Sequence, residues 1–439
     1  METPMSKLRL AWTAIWAATH VTQYGMAITS LNGIQDAVTC NLDAGVSGRR
    51  GRLSPCIDMP VSHFGLVVSI FTIGGLVGSL ASDTVTRRLG RLGTFRLSAQ
   101  LILIGAALVG LSNTVVQMLI GRVSVGLGCG LASVSVPLFL GEIAPANIKK
   151  ALGIANQLFI VVGMLVGQSL SFPFAQYGRW RWVFAFSVGL ALCQLLGSLW
   201  IVVPRAEKQI AEVADAESAP LLDPHQREGR LLSIKDLFTS QDPVIRRGLI
   251  VVIVTQLAQQ LCGISPVMYF STRILKPVFN GNSRMIALSI VIFKLPLTAL
   301  PAIVIERSGT RPILLFSSFA MIIWALFLAY GLNADSGPMA AVGMVSFVAF
   351  FSFGLGPVAW VVLSEVMPRE ATTAAGALGI ALNWSMNFVM GSTFLPLQQA
   401  LSRGKPSGEG NIFYLLAGNC ALAFLAIKAS YKAYDAVKP

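Results

Sequence analysis

Six side-chain amides lie inside the most apolar stretches of this chain, where polar groups are costly to bury. They are Gln157, Gln168, Gln259, Gln260, Asn383 and Asn387. Each amide offers N–H donors and a carbonyl acceptor, and a polar group in lipid needs a partner or a wet cavity. Amides around a cavity would suit a neutral molecule with several hydroxyl groups, because hydroxyls both donate and accept. The alternative is that some amides only bond neighbouring helices, at about 0.6 kcal/mol each.

Two tryptophans and one lysine occur in the same stretches. Trp360 and Trp384 offer flat apolar surfaces that would suit the C–H face of a ring-shaped polyol. Lys294 falls in the middle of its stretch, and an ionisable residue there is a functional candidate. It could bond a substrate oxygen, remain uncharged, attract an anionic substrate, or extend its amine to the membrane surface.

A tight basic turn occurs once in each half of the chain. The turn at 87–91 reads Arg-Arg-Leu-Gly-Arg, and the turn at 306–311 reads Glu-Arg-Ser-Gly-Thr-Arg. Further along, each is followed by a glutamate between two prolines, Glu142 and Glu365. This duplication is typical of a transporter built from two similar halves.

Long apolar segments must hold these residues in place. The hydrophobic fraction is 54%, the charged fraction is 12% and the mean hydropathy is +0.69 over 439 residues, more than soluble cores could bury. A membrane-spanning helix needs about 20 apolar residues. The sequence predicts an all-α membrane protein with spans at 9–31, 64–86, 96–113, 115–141, 150–174, 182–203, 246–272, 285–306, 311–333, 338–366, 372–397 and 410–430.

The net charge of +13 does not indicate a nucleic-acid partner. Most basic residues stand at span ends that face one side, which predicts that both termini lie in the cytosol. A smaller group departs from this pattern: Arg49, Arg50, Arg52, Arg179, Arg403 and Lys405. The expected surroundings are therefore a lipid bilayer, with neither a metal nor a cofactor.

The longest polar interruption divides the chain into six and six spans. It predicts an N-terminal bundle at 1–203, a cytosolic linker with short helices at 204–245 and a C-terminal bundle at 246–439. Within the linker, Glu217 precedes the pair Leu221 and Leu222 by four residues. This pattern is read by clathrin adaptors and would direct the protein to vacuolar or endosomal membranes. Alternatively, the leucines pack on the bundle and the protein resides in the plasma membrane.

Cys40 and Cys56 share the long loop after the first span. That loop is predicted on the non-cytosolic side, where a disulfide is permitted, and both a disulfide and two free thiols are open. The other four cysteines fall inside predicted spans and suit packing as small apolar residues.

Several longer motifs resemble the sugar porter family of the major facilitator superfamily, which includes the facilitative glucose transporters. Gly121-Arg122 and the segment 136–145 are close to that family's fourth span, and 256–265 is similar to its hexose motif. The tenth and eleventh spans add Gly354, Gly356, Pro357, Trp360, Asn383 and Trp384. The resemblance implies twelve transmembrane helices in two pseudo-symmetric halves, and transport of a monosaccharide or related polyol by alternating access. It does not imply an enzyme.

The resemblance also implies roles for particular residues. The implied substrate-binding set is Gln157, Gln259, Gln260, Ser265, Tyr269, Lys294, Trp360, Asn383, Trp384 and Asn387. Gating ion pairs in the outward-open state are implied between Arg88, Arg91 and Glu142, and between Arg307, Arg311 and Glu365. Arg122 is the central arginine of the fourth span.

Departures from the family pattern leave alternatives open. Ala27 stands where proton-coupled members carry an aspartate near Arg122, which favours facilitated diffusion over proton symport, although His20 keeps symport open. Ser352 replaces a glutamate of the glucose transporters, and Lys294 stands where an asparagine is expected. The competing interpretations are transport of an organic anion such as a sugar acid, and a non-transporting sensor or trafficking protein of the same fold.

Overall fold

The computed structural model describes residues 7–42, 53–143, 149–201, 232 and 234–437, and this part of the chain is helical. Twelve spans follow one another in it, as predicted. The first span is Lys7–Thr29, and the second and third spans follow each other in Val61–Ser69 and Phe71–Gly110. The fourth span is Val115–Ile143, the fifth is Lys149–Ser169 with Ser171–Phe174, and the sixth is Arg181–Gly197. The last six are Pro243–Leu261 with Ile264–Phe279, Ser283–Ala299 with Pro301–Ser308, Thr310–Asn333, Gly337–Phe353 with Leu355–Val366, Arg369–Ser402, and Asn411–Asp435. Two short helices, Gln35–Val38 and Ile234–Thr239, lie outside the spans.

Among the described residues, seven helical stretches are long and apolar enough to cross a bilayer by length and composition alone. The longest of them, Val61–Gly110, contains the second and third spans. The remaining spans are shorter or more polar, and Arg181–Gly197 is a short apolar helix.

The two basic turns have the same backbone. Gly90 has φ 71° and ψ 174°, and Gly309 has φ 74° and ψ 173°. Only glycine adopts this combination without strain, because it has no Cβ. The duplicated sequence pattern is therefore a duplicated structure, as expected for two related halves.

Glycines also break two spans near mid-membrane. Gly263, with φ 88°, separates the helices of the seventh span, and Gly354 separates those of the tenth. Ser317 of the ninth span bonds the main chain on both sides of the break at Gly354. Its hydroxyl accepts from the N–H of Leu355 (3.0 Å) and donates to the carbonyl of Phe350 (2.8 Å).

The ends of the bundle are named here by their landmarks. The linker end carries the two basic turns and the helix Ile234–Thr239, and the disulfide end carries the loop after the first span. Cys40 and Cys56 form a disulfide there, with Cα atoms 5.2 Å apart. This resolves the alternative left open by the sequence.

The described part of the linker packs on the second half. Leu237 is fully buried, and the N–H of Leu232 donates to the carbonyl of Glu370 (3.0 Å) at the start of the eleventh span. The predicted sorting residues Glu217, Leu221 and Leu222 lie outside the described residues.

Candidate functional site

Amides of the seventh and eleventh spans meet in the middle of the second half. Asn383 donates from Nδ2 to Oε1 of Gln259 (2.5 Å) and to Oε1 of Gln256 (3.1 Å). Gln260 donates in turn to Oδ1 of Asn383 (3.1 Å). The three glutamines are buried and Asn383 is half-buried. Asn383 thus bonds all three glutamines and connects them in one network.

The broken tenth span supplies further partners. Nε2 of Gln259 donates to the carbonyls of Leu355 (3.3 Å) and Gly356, and Nε2 of Gln256 donates to the carbonyl of Ala359 (3.3 Å). These carbonyls belong to the first turns of the helix that follows the break. Each carbonyl oxygen has two lone pairs, so these oxygens can accept from the glutamines in addition to their own helix.

Ser265 and Tyr269 extend the network along the second helix of the seventh span. The hydroxyl of Ser265 donates to Oε1 of Gln260 (2.7 Å), and that of Tyr269 donates to Oδ1 of Asn387 (2.7 Å). These polar groups therefore bond one another between helices, which is the alternative to lining a wet cavity. A hydroxylated substrate would exchange such bonds rather than meet free amides.

The two predicted amides of the fifth span have different surroundings. Gln157 is half-buried and makes no hydrogen bond within the described part of the chain. Gln168 lies nearer the disulfide end and bonds Asn32 and Thr272. Gln157 is therefore the amide most available to a ligand, whereas Gln168 belongs to the contact between the halves.

The two tryptophans also differ. Trp384 is buried, with its ring centroid 5.3 Å from that of Tyr24 and 6.3 Å from that of Phe71. The indole of Trp360 is 43% exposed. The first-half aromatic residues Tyr24 and Phe71 were not predicted, because an aromatic residue inside an apolar span gives no signal distinct from packing.

Lys294 is buried in the eighth span. Its Nζ lies 5.8 Å from the ring centroid of Phe351, and it makes no ion pair with a described residue. The neighbouring Ser352 donates its hydroxyl to the carbonyl of Val348 (2.8 Å). The amine therefore lies in an apolar surrounding, where it could attract a ligand oxygen.

Arg122 ties three spans of the first half together. Its guanidinium donates to the carbonyls of Val67 (3.1 Å), Val68 (2.7 Å) and Ala27 (3.0 Å), and lies 4.5 Å from the ring centroid of Phe71. These partners are main-chain oxygens and an aromatic face. Ala27, where the resemblance to proton-coupled transporters would place an aspartate, contributes its carbonyl here.

At the linker end, one predicted gating pair of the first half forms. Arg91 makes a two-pronged ion pair with Glu142, with Nε 3.2 Å from Oε2. Arg88 is exposed and has no ion pair among the described residues. Arg87 instead bonds Asp83 one turn away (3.0 Å).

The second half departs from the predicted pairing. Arg311 pairs with Asp435 of the twelfth span (2.5 Å), and Glu365 accepts a hydrogen bond from the hydroxyl of Thr310. Arg311 and Glu365 do not pair in this structure, because the end of the twelfth span brings a nearer carboxylate; the predicted pair belongs to the state open at the disulfide end and stays a prediction. The side chain of Arg307 lies outside the described part.

Asn32 joins the two halves near the disulfide end. Its Nδ2 donates to Oε1 of Gln168 (2.9 Å) and to the hydroxyl of Ser271 (2.7 Å). Its Oδ1 accepts from the N–H of Thr272 (3.0 Å). Asn32 was not predicted, because it lies just past the end of the first span, where polar residues are common.

An ion pair and aromatic packing complete this contact. Asp36 and Lys276 lie 2.7 Å apart across the halves, and the ring of Phe270 stacks on Phe394 and contacts Phe64. In the nearby loop between the last two spans, burial raises the pKa of Glu409, and the positive charge of Arg273 opposes that rise. The halves are thus closed against each other at the disulfide end.

A helical fold of twelve spans in two related halves, with buried amides beside the broken helices of the second half, defines a multi-pass membrane transporter of the major facilitator type. The model of the family described as "Sugar (and other) transporter" matches residues 12–432, and the chain belongs to this family.

Individual relatives agree with this assignment. A probable metabolite transport protein of Saccharomyces cerevisiae is 28% identical, over 94% of this chain and 88% of its own length. The facilitated glucose transporter member 4 of Mus musculus is 30% identical, over 86% of this chain and 80% of its own length. The fold is similar to the crystal structure of a D-xylose-proton symporter, with a TM-score of 0.76 and 22% identity over 95% and 96% of the two chains.

Proposed function

We propose that this protein carries a monosaccharide or related polyol across a membrane by alternating access. The observation that carries the proposal is the network around Asn383, which places amides and main-chain carbonyls beside the breaks of two spans. These groups donate and accept equally well and bear no charge, which matches a neutral ring of hydroxyls. Membership of the sugar transporter family supports the same substrate class.

The contacts at the two ends support alternating access. The hydrogen bonds of Asn32 and the ion pair between Asp36 and Lys276 hold the halves together at the disulfide end. At the linker end, the pair between Arg91 and Glu142 lies within one half. Contacts between the halves form in one state and break in the other, so those at the disulfide end bias a two-state equilibrium.

A substrate panel tests this proposal. Purified protein in liposomes is expected to take up radiolabelled hexoses or pentoses and to be inhibited by unlabelled competitors of the same class. Uptake of sugar acids but not neutral sugars would contradict the neutral substrate. Flux of neither class would favour the non-transporting alternative.

Facilitated diffusion is the form of transport that the residues favour. Arg122 is bound by three carbonyls, and the aspartates and glutamates of the sequence fall at or beyond span ends. His20 is buried, with Nδ1 3.3 Å from the carbonyl of Trp16 and its ring packed on Trp16 and Phe95. Its Nε2 is buried without a hydrogen-bond partner among the described residues, and the packing on two aromatic rings is typical of a residue that joins helices.

Lys294 supports a second candidate, transport of an organic anion such as a sugar acid. A buried amine without a carboxylate partner in the described residues could serve as its countercharge. Lys294→Met should then abolish anion uptake while leaving the folded yield unchanged. If the substrate is neutral, the same variant should keep uptake within about tenfold, the effect of one lost hydrogen bond.

The arrangement in the cell is part of the proposal. We infer that the linker end and both termini face the cytosol, since the basic turns lie at that end, with bundles at 1–203 and 246–439. The acidic dileucine sequence around Leu221 and Leu222 supports recognition by a clathrin adaptor and residence in a vacuolar or endosomal membrane. Replacing both leucines by alanine should move the protein to the plasma membrane, and an unchanged location would contradict the sorting role.

A further inference from the structure

Glycines of the second span face two different partners. The Cβ of an alanine at Gly74 or Gly78 would collide with main-chain atoms of the fourth span, so these glycines allow packing within the first half. A Cβ at Gly75 would instead lie 2.5 Å from Cζ3, 2.6 Å from Cη2 and 2.7 Å from Cε3 of Trp384. Gly75 therefore faces a side chain of the second half.

The ring of Trp384 fills the space that this missing side chain leaves. The three nearest atoms belong to the six-membered part of the indole. Tyr24 and Phe71 pack on the ring, at centroid distances of 5.3 and 6.3 Å, and on each other at 6.4 Å, and Trp384 is 6% exposed. A buried indole packed against two other rings cannot move aside cheaply.

The second and eleventh spans also meet nearer the disulfide end. There, a Cβ at Gly65 would lie 3.6 Å from Cδ1 of Leu395, and one at Gly391 would lie 2.8 Å from the Cβ of Ser69. Trp384 therefore belongs to the contact between the halves, on the linker side of Leu395 and Gly391.

We infer that Gly75 is a positioning residue for transport. Because it has no side chain, it leaves a space, here called the seat, that the indole of Trp384 occupies when it closes the passage between the halves at mid-membrane. The inference rests on the proposed alternating access. The seat is formed when the disulfide end is closed, and any side chain at position 75 holds the indole away and hinders that closure. Since Trp384 is also a proposed substrate contact, the seat sets where its ring meets a sugar.

The test is a double-variant cycle in liposomes with the full chain. Gly75→Ala is expected to lower the maximal rate of sugar uptake about tenfold or more, with a smaller change in KM. Trp384→Leu removes the six-membered ring and will lower uptake by itself. The alanine should then cost less than twofold more in the Trp384→Leu background, because its collision partner is gone.

Two controls separate this effect from simple misfolding. Gly418→Ala places the same methyl group on a helix of the twelfth span with no atom within 4 Å, and should leave uptake unchanged. The melting temperature of each purified variant reports folding. Additive losses in the double variant, or a Gly75→Ala protein with wild-type kinetics, would overturn the inference. If the unmodified protein takes up no sugar, the proposed function itself is overturned.

Discussion

Asn383 concentrates the polar chemistry of the second half in one side chain. It bonds Gln256, Gln259 and Gln260, and so links the seventh span to the eleventh. Each of these amides also bonds a carbonyl or a hydroxyl nearby. Removal of one member therefore leaves several buried groups without partners, and each such group costs about 1–3 kcal/mol.

We expect Asn383→Ala to reduce sugar uptake about tenfold or more and to raise KM, because 1.4 kcal/mol of binding corresponds to about a factor of ten. Gln194→Ala is the matched control, since that buried amide bonds Thr19 within the first half (3.2 Å). It should lower the melting temperature without changing KM. An Asn383→Ala protein with an unaltered KM would show that the network is only structural.

At the level of loops and helices, the disulfide end is built on a rigid support. The carbonyl of Val38 accepts from the N–H of Ile57 (2.8 Å), and the indole N–H of Trp180 donates to the carbonyl of Pro55 (2.9 Å). The disulfide fastens the same two segments. Asp36, one helical turn before Cys40, is therefore held in place for Lys276 of the other half.

Breaking the disulfide should weaken this support. The bridge spans 16 residues, and closing a loop of that length stabilises the folded chain by about 3 kcal/mol in the chain-entropy model. Cys40→Ser with Cys56→Ser should lower the melting temperature, as should a reducing agent on the unmodified protein. Cys193→Ser, which removes an exposed free thiol, is the control and should have no effect.

The ion pair between Asp36 and Lys276 should bias the conformational equilibrium toward closure at the disulfide end. Both side chains are partly exposed, so the pair is worth about 0.2–1 kcal/mol. Lys276→Asp should open that end, and the exchange Asp36→Lys with Lys276→Asp should restore it. Spin labels at Ser62 and Gln399, in a Cys193→Ser background, would report the distance. Equal distances in all three proteins would rule out a latch.

For the molecule as a whole, two halves with no carboxylate in mid-span predict a carrier indifferent to a proton gradient. Arg122 has main-chain partners and His20 is packed among aromatic rings. Sugar uptake into liposomes should therefore stop at equal concentrations inside and outside. Accumulation above the external concentration under an imposed pH gradient would establish proton coupling.

The twelve spans could be placed from the order of residues because a helix in lipid must satisfy its hydrogen bonds within itself. Span positions are therefore a local property, set by runs of apolar residues and by glycines such as Gly90 and Gly309. Part of the amide network was predictable for the same reason, since Gln259, Gln260 and Asn383 are polar groups where lipid penalises them. Gln256 was missed, and the predicted Gln168 belongs to the contact between the halves instead.

The partners of those residues were decided by packing. Arg311 pairs with Asp435 rather than Glu365, Asn32 meets Ser271, and Trp384 fills the space beside Gly75. Each contact joins segments that are far apart in the chain, and it depends on which helix faces lie together when the disulfide end is closed. Spacing along the chain carries no information on that choice, because it is the meeting of the two halves that brings the atoms within reach.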